Sequence, residues 1–333
     1  MADHSAGHEN PPVRTRLTRL LGIEHPVMLA GMGGVSYHRL VAAVSEAGGF
    51  GCLGAATLST DQMVEEMRAV RAATGKPFGV DLLTVGPGDL AAQVEVAAGE
   101  GMSLFVAGLG IPTQVIDVCH HRDVLVGSMC GKVDHAIRAV EAGCDLVIAQ
   151  GTEAGGHTGQ VATMPLVAQV VDAVGRKVPV VAAGGIFDGR GLAAALALGA
   201  SGVWVGTRFV ATPEANTVPG YKEALLASRE DATVITRAYT GKTLRALRNR
   251  WTDHFDAHPE ELAPFPAQTV HSLEEGVLHL GGDGTSIVDA ERECFPAGQG
   301  VGALSELVPA GELVGRFVRQ ADQVLRRLYT QTS

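Results

Sequence analysis

Short apolar runs alternate with alanine-rich helical stretches along this chain, which predicts an α/β fold: a (β/α)8 TIM barrel with a smaller helical insertion. Eight strand–helix pairs fit between Pro26 and Phe209, a number that suits a closed ring better than an open doubly wound sheet. The strands read as nearly unbroken apolar runs, as parallel strands buried on both faces do. Aromatic residues make up only 5% of the chain, so Ala, Val and Gly must do most of the helix-on-sheet packing.

The first strand is expected at Pro26–Ala30, followed by Gly31-Met32-Gly33-Gly34 and a helix over His38–Ala47. Leu40, Val41 and Val44 fall on one face of that helix, at the spacing of an amphipathic segment. The second strand is Gly51–Ala55, and Ser59 is placed to cap the helix Asp61–Ala73. Phe78–Leu83 and Leu90–Ala98 form the third pair. Ser103–Ala107 is the fourth strand, with Pro112 opening its helix. Val124–Ser128 and Val133–Ala142 follow, then Leu146–Ala149 with Pro165–Val174. Val178–Ala183 precedes Asp188, a cap for Gly191–Leu198, and Gly202–Val205 ends at Gly206-Thr207-Arg208.

The alternation stops after Phe209. Tyr221–Arg229 and Thr243–Arg250 read as charge-rich helices, and Pro259, Pro264, Pro266 and Gly281-Gly282-Asp283-Gly284 mark loops. The expected organisation is a barrel over 1–212, a helical lid or substrate domain over 213–285, and a segment over 286–333 that returns to the barrel. Leu304, Leu307, Val308, Leu313, Phe317 and Val318 give the tail, Gly300–Leu328, a face to bury as one closing helix.

A formal charge of −10 without long charged runs argues against nucleic acid or an anionic membrane as partner. The five cysteines form no C-x-x-C pair, which argues against a disulfide framework or a zinc site. The polar Met1–Asn10 segment has no apolar signal core, and no run reaches the ~20 apolar residues of a spanning helix. These features describe a cytoplasmic protein. They leave the oligomeric state open, with a homodimer among the options.

In such a barrel the chemistry sits at the C-terminal ends of the strands. Gly31–Gly34, Asp81, Ser128, Gln150, Gly155, Gly156, His157, Gly184, Gly185, Gly206 and Thr207 all fall there. The segment Gln150-Gly151-Thr152-Glu153-Ala154-Gly155-Gly156-His157 is a strand end running into a glycine loop that presents one histidine. Glycines let backbone approach a bound group closely, and an imidazole exchanges protons near neutral pH. Ala183-Gly184-Gly185-Ile186 together with Gly206-Thr207-Arg208 marks a phosphate site, because loops after the seventh and eighth strands of these barrels often offer N–H groups to phosphate. Neither the dinucleotide fingerprint nor a Walker motif is present.

Other polar residues have plainer readings. His4 and His8 lie in a polar tail, and His120, His121 and His135 read as surface. Glu153 reads as a loop-stabilising carboxylate and Cys130 as passive. Arg237, Lys242, Arg245, Arg248 and Arg250 could meet an anionic substrate or a pyridine nucleotide, but read better as a solvated helix face.

Taken together, these segments resemble the nitronate monooxygenase family of FMN-dependent barrel enzymes. The resemblance runs from about Leu17 to the C-terminal helix. It rests on Pro26-Val27-Met28-Leu29-Ala30-Gly31-Met32-Gly33, Ser45-Glu46-Ala47-Gly48-Gly49, Lys76-Pro77-Phe78-Gly79-Val80, the Ala149–His157 loop, Ala182–Ile186, Gly206–Phe209 and Thr236–Lys242. It implies FMN as cofactor, with phosphate at Gly184-Gly185 and Gly206-Thr207, Gln150 and Gly155 beside the flavin, and Gly31, Met32 and Gly33 beneath its ring. Asp81, Ser128 and Gly156 complete the implied cofactor set, and His157 is the implied catalytic residue. The family commonly carries Asn where this chain has Asp81.

The implied reaction is oxidation of an alkyl nitronate, propionate-3-nitronate-like, with O2 to a carbonyl product and nitrite. Flavin-type enoyl-acyl-carrier-protein reductases and NADH:quinone reductases look similar and share the Gly-Gly-His element. The short Thr158–Met164 link resembles those reductases, whereas Gln150 resembles the nitronate enzymes. The alternative is therefore an NAD(P)H-dependent flavin reductase acting on a quinone or an enoyl thioester.

Overall fold

A computed structural model of the chain describes residues 13–84, 89–279, 281 and 287–332. The expectations for His4, His8 and Gly282-Asp283-Gly284 concern positions outside the described residues. Nine strands and nine helices follow in chain order from Arg16 to Val210. The strands are β1 (Val27–Leu29), β2 (Gly51–Gly54), β3 (Phe78–Leu82), β4 (Leu104–Ala107), β5 (Leu125–Cys130), β6 (Leu146–Gln150), β7 (Gly156–His157), β8 (Val180–Ala183) and β9 (Gly202–Val205). The helices are α1 (Arg16–Leu21), α2 (His38–Glu46), α3 (Thr60–Ala73), α4 (Leu90–Gly99), α5 (Ile116–His121), α6 (Val133–Ala142), α7 (Thr163–Val174), α8 (Gly189–Ala197) and α9 (Thr207–Val210).

All of these strands except β7 form one parallel sheet, in the order β1-β9-β8-β6-β5-β4-β3-β2. The two ends of that order meet. Leu29 N–H donates to Phe50 O and Phe50 N–H to Val27 O, both at 2.9 Å, so the sheet closes into a barrel. Side chains alternate between two layers, as strand geometry requires. Met28, Phe50, Leu104, Leu146, Ile148, Val181 and Trp204 fill the barrel interior, whereas Val27, Leu53, Val80, Phe105, Val147 and Val203 meet the surrounding helices.

One end of the ring is plugged. Helix α1 is capped by Thr15 through a reciprocal capping box with Thr18, and it buries Leu17 and Leu21 against the interior cluster. The opposite rim, at the strand C-termini, stays open. Local signals predicted several boundaries correctly: Ser59 and Gln62 form the capping box of α3, and the Asp188 carboxylate caps α8.

Four expectations need correction. The helix after β4 starts at Ile116, not Pro112, because residues 111–115 spend their hydrogen bonds in tight turns. Thr243–Arg250 is not a helix. Its core is β11 (Leu244–Leu247), a fully buried strand between β10 (Thr233–Thr236) and β7. The segment after Phe209 is thus mixed, with helices α10 (Tyr221–Ala227), α11 (Arg250–Ala257) and α12 (Ala267–Glu274) beside an antiparallel strand pair. Finally, the tail is not one helix: a 3-10 turn at Gln299–Ala303 precedes α13 (Ala310–Thr332), and Leu307 in the connection is exposed while the other five apolar positions are buried.

Gly54 at the end of β2 fixes how closely the loop after β1 can lie on the sheet. A Cβ there would sit 2.3 Å from the Met32 carbonyl carbon, and that loop is held by Ser36 Oγ accepting from Met32 N–H at 2.7 Å. Neither side can yield cheaply. Gly54→Ala is expected to lower stability by about 1–3 kcal/mol, as overpacking does, measured by urea unfolding at fixed flavin concentration.

Candidate active site

The open rim leads into a cavity of about 390 Å³. Its lining includes Gly31, Met32, Gly33, Asp81, Gln150, Gly155, Gly156, His157, Gly184, Gly185, Gly206 and Thr207. Every site residue singled out from sequence is therefore in one place, with one exception. Ser128 is buried outside the cavity, with its hydroxyl donating to Gly110 O at 3.3 Å. It is the neighbouring residue, Met129, that lines the cavity. Adjacent residues of a strand face opposite layers, and Ser128 is one position out of phase with the interior set.

The glycines do specific work. A Cβ on Gly31 would meet the Asp81 side chain at 2.2 Å, and one on Gly155 would meet the Ala297 backbone at 2.8 Å. Gly184 and Gly185 have φ of 109° and 69°, which side chains resist. Among the described residues, no protein partner is found for the main-chain N–H of Gly185, Thr207 or Arg208. A rim of bare backbone with spare donors fits a flat cofactor bearing a phosphate.

His157 is held from two sides. Its strand, β7, pairs antiparallel with β11, setting His157 opposite Leu244. Its Nε2 lies 3.1 Å from Thr240 Oγ1, and its carbonyl accepts from Gln150 Nε2 at 2.7 Å. Burial, with the Lys242 charge in second place, pushes the imidazole below its ordinary value, so it is neutral at neutral pH. Asp81 is buried and exposes only 8% of its surface, into the cavity. Burial holds its carboxyl well above the usual range, and it makes no side-chain hydrogen bond among the described residues. A protonated carboxyl can donate as well as accept, as an amide does.

The plainer readings hold for several residues. Glu153 accepts from Thr163 N–H at 2.9 Å and steadies the loop. Burial pushes the Cys130 thiol up to about 12, so it is inert at neutral pH. All five cysteines are free and buried. The basic group is not one helix face, however. Arg245 is buried in β11 and donates to Thr152 O and Thr233 Oγ1, whereas Arg248 pairs with Asp253 at the surface.

Sequence reasoning missed part of the wall: Trp204, Tyr221, Leu278, His279 and Cys294 also line the cavity. Tyr221 stacks on Phe295 with ring centroids 4.8 Å apart. His279 is bonded to Glu293, which is 1% exposed. Nothing in the spacing of these residues marks them, because four separate segments bring them together.

Two titrations follow. The folded state holds the Asp81 proton more tightly than the unfolded chain does, so this group's contribution is fully present below the ordinary carboxylate range and is lost as pH rises. Asp81→Asn should therefore raise the melting temperature of flavin-free protein more at pH 8 than at pH 4. The His157 ring should titrate below 6.5 by proton NMR, and Lys242→Met should move it upward by removing a neighbouring positive charge. An unmoved His157 titration would contradict the second expectation.

Comparison with known proteins agrees with this geometry. The family model described as nitronate monooxygenase matches residues 14–91 and 86–320. A hydroxy-methyl-oxo-octahydro-indene-carboxyl-CoA dehydrogenase of Mycobacterium tuberculosis is 42% identical over 246 residues, covering 74% of this chain and 69% of that protein. FabK from Thermotoga maritima superposes with a TM-score of 0.86 at 36% identity, over 96% of this chain and 99% of that one. Nitroalkane oxidase from Streptomyces ansochromogenes gives 0.80 at 31% identity, over 94% and 100%. No helix among the described residues is long and apolar enough to cross a membrane. With a matching model over most of its length and a shared barrel, this chain is an oxidoreductase that belongs to the nitronate monooxygenase family.

Proposed function

We propose that the protein is an FMN-dependent oxidase of alkyl nitronates, propionate-3-nitronate-like anions, yielding a carbonyl product and nitrite with O2. The observation that carries this reading is a half-buried His157 in a glycine-lined cavity, its ring held toward the neutral form by burial and, second, by the Lys242 charge. A neutral imidazole there can donate one N–H to a small anion whose nitro oxygens accept hydrogen bonds.

Flavin is the cofactor of this family. In this chain the phosphate of FMN would be held by main chain at Gly184-Gly185 and Gly206-Thr207. Gly31, Met32 and Gly33 would lie beneath the ring, with Gln150, Gly155 and Gly156 at its edge. Asp81, as a neutral acid, would offer the donor that an amide offers in the family pattern. The flavin supplies electron acceptance and delivery to O2; the protein supplies position and field. His157 would orient the nitro group through Nδ1–H, with Thr240 holding Nε2 and Gln150 holding its backbone carbonyl. Trp204, Tyr221 and Leu278 would keep water from the reacting carbon. Residues 213–285 would act as the lid over the barrel of 1–212, with 286–333 closing back upon it.

A second reading is NAD(P)H-dependent reduction of a quinone or an enoyl thioester. It is favoured by the likeness to FabK, an enoyl-acyl-carrier-protein reductase, and by the short Thr158–Ala162 link between β7 and α7. Adding NADH and a nitronate separately to anaerobic, flavin-loaded enzyme separates the two. Rapid bleaching of the flavin by NADH supports reduction; nitrite release and O2 uptake with nitronate support oxidation. His157→Ala should lower kcat/KM for nitronate about 10- to 100-fold, the loss expected for a hydrogen bond of ~1.5–3 kcal/mol to a charged group. Undiminished nitronate turnover in that variant would remove His157 from the site.

A further inference from the structure

A second cavity, of about 430 Å³, adjoins the first and shares Phe187, Arg208 and Leu304 with it. Its size is usual for a small-ligand site. Four arginines line it: Arg190 in α8, Arg208 in α9, and Arg316 and Arg319 in α13. None of their side chains has a part in the reaction proposed above.

The four cations are not alike. Arg190 is paired with Asp188 at 2.6 Å, and Arg316 with Glu306 at 2.5 Å and Glu312 at 2.7 Å. Among the described residues, Arg208 and Arg319 have no ion-pair partner. Arg208 exposes only 7% of its surface. Its Nη1 and Nη2 both donate to Glu306 O at 3.3 Å, and that carbonyl is the side chain's one hydrogen-bond partner among the described residues. A guanidinium carries five N–H donors, so most of its capacity is unspent. Burial disfavours its charge; the Glu306 carboxylate opposes that effect and the Arg316 charge adds to it. Glu306 and Arg316 both line the second cavity, so the Arg208 charge faces that side. A buried cation without a counter-charge is costly until an anion meets it. Main-chain donors at the start of α8 are already taken: Gln320 accepts from Gly189 N–H, and Asp188 from those of Arg190 and Gly191. What remains is a pair of guanidinium forks, whose geometry matches the oxygens of phosphate.

We propose that this second cavity is a phosphate site separate from the flavin, holding a phosphate dianion, free or as a monoester, between Arg208 and Arg319. Two cations without ion-pair partners match its two negative charges. Arg208 supplies the buried end of the site, and Arg319, exposed on α13, supplies the solvent end. The two carboxylates in the wall, Asp188 and Glu306, are already neutralised by Arg190 and Arg316 and do not repel the ligand outright. Phe187, with the Arg190 guanidinium 5.7 Å from its ring centroid, offers a flat face on which the base of a nucleotide would stack. Because one end of the site is open to solvent, salt weakens binding.

The test is calorimetric titration of FMN-loaded enzyme, in which the cofactor phosphate already occupies the rim donors, a choice that rests on the cofactor reading above. Inorganic phosphate and 5′-AMP are titrated separately in low-salt, phosphate-free buffer. At least one should bind at one site per chain with a Kd of about 1 mM or tighter, weakening as NaCl is added. Tighter binding of AMP assigns the site to a nucleotide; binding of inorganic phosphate at least as tight assigns it to the free ion. Arg319→Glu should weaken the binding about 10- to 100-fold, the loss expected for a charge-assisted hydrogen bond. Arg327→Glu makes the same charge change roughly two turns further along α13, outside the cavity, and should alter binding by less than about twofold. Arg319 and Arg327 are both exposed, so both variants should fold, which flavin content and melting temperature check. The proposal is overturned if neither probe binds below about 10 mM, if Arg319→Glu binds as wild type does, or if Arg327→Glu loses as much. Should the chain take up no FMN, the cofactor reading falls, and titration of the flavin-free protein still decides this one. Phosphate held at the rim would be indifferent to Arg319→Glu, which overturns the proposal, whereas phosphate held in the second cavity would be lost.

Discussion

Main-chain hydrogen bonds between Phe50 and the Val27–Leu29 strand turn a parallel sheet into a ring. Much of the site depends on that closure. In a parallel ring all strand C-termini reach the same rim, and the alternation of side chains then decides which residues look inward. Met28, Phe50, Leu104, Leu146 and Val181 make the interior solid. Asp81, Met129 and Gln150, one step nearer the rim, face the space above it. The cavity is therefore the place where the packed interior ends and glycine loops begin. Because α1 buries Leu17 at the opposite end, the rim is where the interior opens to a ligand.

Few charged groups face this cavity, and in a low-dielectric setting each has a large effect on its neighbours. Burial dominates the behaviour of Asp81 and His157, and in both it favours the neutral form. A carboxyl on β3 and an imidazole on β7, both biased toward their neutral forms by burial, can each donate and accept hydrogen bonds. The Glu293 side chain is buried too, and its two oxygens meet the main-chain N–H and the ring Nδ1 of His279. Removing the His279 ring would leave one oxygen of that buried side chain without its partner.

The barrel was legible because its physics is local. Buried parallel strands must be apolar along their whole length, and Leu146–Ala149 or Val178–Ala183 can hardly be read otherwise. Caps such as Ser59 and Asp188 act within three residues. The rim glycines were legible for the same reason, since backbone approach leaves glycine in the sequence. What failed was non-local. In Thr243–Arg250, Leu244 and Leu247 lie three apart, a helical spacing, yet the pairing of this segment with β7 and β10 makes it a strand. Ser128 sat at the right height in the barrel but faced the wrong layer. His279 and Glu293 carry no motif at all; they meet only because Cys294 N–H bonds to Val277 O and so aligns the two segments.

The strand β7 joins these two levels. It is part of the loop that follows β6, and it is also the edge of a sheet whose other strands come from the segment after Phe209. Its two residues are Gly156 and His157, so the catalytic candidate is itself a rung of that ladder. The same segment supplies Thr240 to the imidazole, and Lys242 sets part of its field. A barrel loop alone would leave His157 on a flexible glycine turn, free to sample many orientations. Pairing with β11 removes that freedom, and the buried Arg245, bonded to Thr152 O, ties the same strand to the start of the loop. The glycines can thus give close approach to a cofactor while the histidine among them stays fixed. The cost is coupling: a shift of β11 relative to the barrel must carry His157 with it, so substrate contacts made by the segment after Phe209 would be felt directly at the imidazole.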